Sequence, residues 1–198
     1  QQQQQQQPQQ VVQQQQQQQP SQQQQAQRPP AVAEDVEEEA ILYLQKIYNG
    51  ELSIPDCINL LNRFKASAER REQDIFRSMI RNLFDEYRFF QKYPEKELQI
   101  TGVLFGSLLN YQLITGQNLG IALKCILEAL RKDPEAGSNN NGNSDKMFRF
   151  GKIALEQCRQ HLSAWAAFCQ HVVQIPHLQR YAPELFRDCK EALINSSG

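Results

Sequence analysis

REQDIFRSMIRNLFDEYRFFQKYPEKEL, residues 71–98, carries the fold in its spacing. Ile75, Phe76, Met79, Ile80, Leu83, Phe84 and Tyr87 recur at three- and four-residue steps and make one apolar stripe, while Arg70, Arg71, Asp74, Arg77, Arg81 and Asp85 take the other faces. This periodicity predicts a core-facing helix from Glu69 to Phe89 with a mixed-charge outer side. The pattern then breaks, and five aromatic rings crowd among seven charges between Leu83 and Leu98. Pro94 disfavours a helical Tyr93, so the chain must turn there. Phe89 and Phe90 are predicted to close the core at the helix end. The density of rings leaves three readings open: a core corner, a platform for stacking bases, or a slot for another protein's side chains.

The same period recurs on both sides of this stretch. Upstream, EEEAILYLQKIYN from Glu37 to Asn49 opens on three carboxylates that favour a helix N-terminus, stops at Asn49-Gly50, and sets Ala40, Ile41, Leu44, Ile47 and Tyr48 on one face. Ser53, with Pro55 in the first turn and Asp56 three residues on, predicts the cap of a second helix that turns Cys57, Ile58, Leu61 and Phe64 inward. Downstream, a helix from Glu95 to Asn110 uses Leu98, Thr101, Leu104, Phe105 and Leu108. Its Gly102 and Gly106 read as places of close helix contact, because no strand precedes them as a phosphate-binding loop would need. Asn118 caps or precedes a fifth helix with Ala122, Leu123, Ile126, Leu127 and Leu130 inward and Arg131 and Lys132 at its C-terminus. Residues 133–144 read as a flexible polar loop of Asn, Ser and Gly. Further amphipathic segments are predicted from Met147 to Leu162, Ala164 to Gln174 and Pro183 to Ile194. The predicted fold class is all-α, a HEAT-like helical repeat array with no sheet, its helix pairs stacked with antiparallel neighbours joined by short turns.

Composition bounds what such an array does. Residues 1–33 are dominated by Gln and hold too little apolar side chain to offset the entropy of ordering a backbone, so they are predicted to be a disordered tail before a helical domain over 34–198. The formal net charge is −1, and Asp85, Glu86, Glu95 and Glu97 dilute Arg88 and Lys92, so direct nucleic-acid binding is not expected. No apolar run reaches the length needed to cross a bilayer and no signal-peptide pattern is present, which predicts a soluble intracellular protein.

The chemistry-bearing residues point away from catalysis. Nucleophile elbows, phosphate loops and H-E-x-x-H spacing are all missing, and the carboxylates read as helix starts and solvated faces. The five cysteines, Cys57, Cys125, Cys158, Cys169 and Cys189, lie among apolar residues of helical patterns and read as small core side chains. Cys158 with His161 and Cys169 with His171 lack a second pair at zinc-finger spacing. No metal, no cofactor and no enzymatic activity are expected.

EEEAILYLQKIY, RFKAS at residues 63–67, the stretch from Arg71 to Leu98, and ALKCILEALRK at residues 122–132 together resemble the central scaffold subunit of the Ccr/Not deadenylase complex. They are similar to its tristetraprolin-binding domain, a helical repeat module like the middle domain of translation initiation factor four-G. The resemblance covers about Glu34 to Pro183. It implies a non-catalytic docking domain that brings RNA-binding adaptors to a complex that shortens poly(A) tails, with mRNA decay and translational repression as the outcome. The partners implied are those adaptors and, through the full scaffold, other Ccr/Not subunits, with the cytoplasm as the expected compartment and the nucleus as a second one. A platform for a folded partner, such as a deadenylase or DEAD-box helicase subunit, and a weak RNA-binding module remain the alternatives.

In animal relatives a short tristetraprolin segment folds into a helix in a groove. Carried onto this sequence, the resemblance places that groove at Ile41, Leu44, Tyr48 and Tyr93, with Phe84, Tyr87, Phe89 and Phe90 as a supporting aromatic wall. Ile41, Leu44 and Tyr48 stand at i, i+3 and i+7, so one helix face presents them together. The animal pattern resembles E-E-E-A-N-S-Y-F-Q-x-I-Y. Here Ile41 stands for an amide and Leu44 for a phenyl ring, which implies a more aliphatic groove with fewer polar contacts to orient a peptide.

Overall fold

The computed structural model describes residues 34–139 and 142–196. The Gln-rich segment and residues 140–141 of the predicted polar loop lie outside them. Among the described residues the secondary structure is wholly helical: α1 (Glu34–Tyr48), α2 (Ile54–Ala66), α3 (Arg70–Glu86), a 3-10 turn (Tyr87–Lys92), α4 (Glu95–Asn110), α5 (Gly116–Leu130), 3-10 turns at Pro134–Asn139 and Arg159–Trp165 on either side of α6 (Asn143–Gln157), α7 (Ala166–Val172), α8 (Leu178–Tyr181) and α9 (Pro183–Ser196). This all-α layered array is consistent with the HEAT-like reading. α4 and α5 both pack on α6, and α1 and α2 both pack on α3.

Local chemistry sets the helix ends. α1 starts at Glu34 with Glu34, Asp35 and Glu37 in its first turn, three residues earlier than predicted. It stops where Gly50 takes φ +77°, a left-handed conformation open to glycine, and Glu51 N–H donates back to the Lys46 carbonyl at 2.9 Å. Ser53 caps α2 as expected, its Oγ accepting the Asp56 N–H at 3.2 Å. Asn118 is not the cap of α5; Thr115 holds that position and α5 starts at Gly116. The helix predicted to run from Met147 to Leu162 starts at Asn143 and ends at Gln157, because Cys158 leaves helical geometry at φ −122°, ψ 23°.

The core unites the predicted faces. Ile75, Met79, Ile80 and Leu83 of α3, Cys57, Ile58, Leu61 and Phe64 of α2, and Leu98, Thr101, Leu104, Phe105 and Leu108 of α4 are all buried. Gly102 and Gly106 do mark a close contact. A Cβ on Gly106 would stand 2.1 Å from the Ala154 carbonyl oxygen, and one on Gly102 would stand 2.9 Å from Ile153 Cγ2. The bare faces of α4 let α6 approach backbone to backbone, and Phe150 of α6 meets Phe105 at 5.3 Å between ring centroids.

The cysteines are free thiols, four of them buried and Cys125 half-buried. Burial pushes Cys57 and Cys158 up to about 12, which keeps them protonated and unreactive. Two histidines close helix ends: His161 Nε2 meets the Asn110 carbonyl at 2.8 Å and His177 Nε2 the Leu130 carbonyl at 2.7 Å. Those are terminal carbonyls of α4 and α5 that lack a partner within their own helices. Among the described residues no group of His, Cys, Asp and Glu could hold a metal ion, and no helix is long and apolar enough to cross a membrane.

Candidate functional site

The aromatic stretch resolves once its backbone tightens. α3 ends at Glu86, three residues before the predicted end, and residues 87–92 wind as a 3-10 turn with three residues per turn. A three-residue repeat aligns Tyr87, Phe90 and Tyr93 on one side. Their rings follow one another, Tyr87 to Phe90 at 5.6 Å and Phe90 to Tyr93 at 5.2 Å between centroids. Phe90 is fully buried, against Phe150 at 5.1 Å. Phe89 does not close the core: it is 37% exposed, with the Arg88 guanidinium 4.7 Å and the Lys92 ammonium 5.9 Å from its ring centroid. Asp85 and Glu86, four and three residues before it, are exposed, and Phe89 continues their side of the chain.

Tyr93 ends this ladder and meets α1. Its ring stands edge-on to Tyr48 at 6.1 Å and 86°. Each hydroxyl is anchored. Tyr48 Oη and Thr101 Oγ1 are 2.9 Å apart, and Thr101 donates in turn to the Glu97 carbonyl at 2.6 Å. Tyr93 Oη donates to Glu86 Oε2 at 2.7 Å, and the Tyr93 carbonyl accepts Lys146 Nζ at 3.0 Å. Burial, and for Tyr93 also the hydrogen bond to Glu86, pushes both phenols above their ordinary range, so both are neutral hydrogen-bonding rings.

Of the other residues assigned to the groove, Leu44 is half-buried against the core and Ile41 is 40% exposed. Ile41 lies away from the inward stripe of α1, which runs through Val36, Ala40 and Ile47. Beside it Leu42 is 53% exposed, an apolar surface residue that the helical pattern did not single out. The aromatic wall divides. Phe90 backs Tyr93 directly, Tyr87 donates its hydroxyl to the Cys125 carbonyl at 2.9 Å, and Phe84 packs on Phe105 at 5.6 Å. Phe84 also lines a separate concavity of about 410 Å³ with Phe76, Ile80 and Ile121.

α1 is held in place by its acidic start. Arg71 of α3 reaches Glu39 at 2.5 Å and Asp35 at 3.2 Å, while Ser78, Arg81 and Asn82 converge on the Glu37 carboxylate. Partial burial would raise Glu37, but the hydrogen bonds from Ser78 and Asn82 and the charge of Arg81 outweigh it, and its carboxyl titrates below the ordinary value. The sequence offered Glu37 and Glu39 as a helix start only. Their role as a clamp between helices needs Arg71 and Arg81 brought alongside, which a linear pattern does not reveal. With α1 fixed, Tyr48 and Tyr93 form a half-buried aromatic rim whose hydroxyls are already paired, and Ile41 is exposed two turns earlier on α1.

The comparisons agree on one relationship. The profile of the family described as the CCR4-NOT transcription complex subunit 1 TTP binding domain matches residues 1–197. The chain is 36% identical to the CCR4-NOT transcription complex subunit let-711 of Caenorhabditis elegans, over 79% of this chain and 6% of that protein. It is also 36% identical to the general negative regulator of transcription subunit 1 of Schizosaccharomyces pombe, over 82% of this chain and 7% of that protein. Among solved structures, the N-terminal domain of the yeast Not1 superposes with a TM-score of 0.71 at 34% identity, over 80% of this chain and 28% of that one. The chain therefore spans a small part of the length of each relative.

Proposed function

The chain belongs to the CCR4-NOT transcription complex subunit 1 TTP binding domain family, and from that membership we propose that it serves as a docking domain for short helical motifs of RNA-binding adaptors. In this reading it is a non-catalytic part of the scaffold. It brings adaptors, and the messages they carry, to the deadenylation machinery in the cytoplasm and the nucleus, with mRNA decay and translational repression as the result. The observation that carries the reading is the rim itself: Tyr48 and Tyr93, edge to face at 6.1 Å on a clamped α1 that leaves Ile41 40% exposed. An amphipathic helix would lay its apolar face there, ordering on contact and so binding with modest affinity that permits exchange among adaptors.

A single folded partner is the weaker reading. A folded partner would need contacts on several helices at once, whereas family membership points to a groove at α1 and the turn before α4. The test is isothermal titration of the chain with the tristetraprolin helical segment and with helical motifs of adaptors from the same cells. Saturable binding lost in Ile41→Asp, at unchanged melting temperature, is the expected result. Equal affinity of parent and variant for every motif would remove the groove.

A further inference from the structure

The 3-10 turn has another face that the tyrosine rim does not use. The three-residue period sets Arg88 above Gln91, and these two line a concavity of about 400 Å³ together with Glu128, Arg131 and Lys132 near the end of α5. Tyr87 and Met147 supply its apolar lining, and Tyr87 is fixed there by its hydrogen bond to the Cys125 carbonyl. Three cations thus face one carboxylate. Glu128 already engages Lys124 at 3.9 Å, whereas Arg88, Arg131 and Lys132 have no ion pair among the described residues. Arg88 is oriented by stacking on the exposed Phe89 ring, over which Lys92 also lies.

Unpaired cations gathered around an apolar lining attract carboxylates next to an apolar side chain, and a concavity of this volume falls in the range that accepts one large side chain with its neighbours. We propose that this site binds an acidic peptide segment of a protein partner. Its carboxylates pair with Arg88, Arg131 and Lys132, and an aromatic or aliphatic residue between them rests on Tyr87 and Met147. A nucleic-acid strand is disfavoured as the occupant, because a phosphate backbone needs a track of cations and this chain offers one cluster on a molecule of net charge −1.

The test is fluorescence anisotropy on the full chain with a fluorescein-labelled peptide that sets one phenylalanine between runs of glutamate and aspartate. Saturable binding is expected, weakening with salt and weakening roughly tenfold in the Arg131→Glu, Lys132→Glu double variant. Both positions are exposed at a helix end, and an unchanged circular dichroism melt verifies the fold. Should that variant unfold, Arg88→Gln is the second probe, with a roughly threefold loss expected. Ile41→Asp should leave this binding unchanged, which separates the site from the tyrosine rim. The proposal is overturned by absent binding, by equal binding of a peptide carrying glutamine and asparagine in place of the acids, or by undiminished binding in a folded cationic-site variant. Loss of binding in Ile41→Asp, or tighter binding of labelled oligoadenylate than of the peptide, would overturn it as well.

Discussion

The seam where α4 meets α6 and the rim where α1 meets Tyr93 share α4 as a wall and have opposite chemistry. Neighbouring residues divide the two: Gly102 faces Ile153 across the seam, and Thr101 meets the Tyr48 hydroxyl. At the seam the absence of side-chain atoms is what brings the helices together. At the rim large side chains are present, and hydrogen bonds hold them while part of each ring stays open. The tight seam should tolerate little change and the rim more, because the glycines of the seam have no side-chain atoms that can give way.

The largest effect that would test the contrast is at the seam. Gly106→Ala should destabilise the domain by about 3 kcal/mol or more, because the added methyl meets the rigid Ala154 carbonyl at 2.1 Å. Chemical denaturation measures this, and a midpoint like the parent's would mean that α4 and α6 are not in backbone contact. Gly102→Ala should cost less, about 1 kcal/mol, since its Cβ would meet Ile153 Cγ2 at 2.9 Å and Cβ at 3.1 Å, a smaller overlap than the 2.1 Å approach at Gly106.

At the rim, Tyr48→Phe should cost about 1 kcal/mol, the usual net worth of one hydrogen bond. Thr101 still donates to the Glu97 carbonyl in that variant, so no buried donor is orphaned. Tyr93→Phe should cost less than Tyr48→Phe in the same denaturation series, because its bond to Glu86 lies at the surface.

The clamp on α1 should show in the pH dependence. The Glu37 carboxyl titrates below its ordinary 4.5 in the folded state. A depressed folded pKa contributes stability that is fully present above the unfolded value and is lost as pH falls through the folded one. Melting temperatures of the parent should therefore drop more steeply below pH 4.5 than those of Glu37→Gln, and parallel curves would mean that the clamp is not electrostatic. The smallest expected stability change is at Ile41→Asp, within about 0.5 kcal/mol, as for an exposed position without structural partners. The same substitution should abolish motif binding, and that pairing of a silent fold with a lost function separates rim from seam most sharply.

Much of the fold was legible in spacing because burial imposes a helical period on a linear sequence. α4 runs over the predicted residues, Ser53 caps α2, and the two glycines of α4 were readable as a contact because they stand four apart on one helix face. What failed, failed at the end of α3. Phe89 reads with Phe90 as closing the core, although it follows exposed Asp85 and Glu86 at helical spacing and stays on their side. The groove residues came from resemblance to a family, because at helical spacing Leu44 and Tyr48 read equally well as core.

The sequence by itself determined the helical class, most inward faces, the bounds of α4 and the family, since each follows from local spacing, capping chemistry or a run of residues specific to that family. Only the tertiary structure decided what the crowded rings between Leu83 and Leu98 do. Phe90 had to reach Phe150 and Tyr87 had to reach the Cys125 carbonyl, and both partners stand on helices far along the chain. Meeting them goes with a tightened backbone that carries the Tyr87–Phe90 ladder on to Tyr93 and Tyr48. A linear pattern does not contain those partners, so the role of each ring is settled only when α5 and α6 pack against the turn.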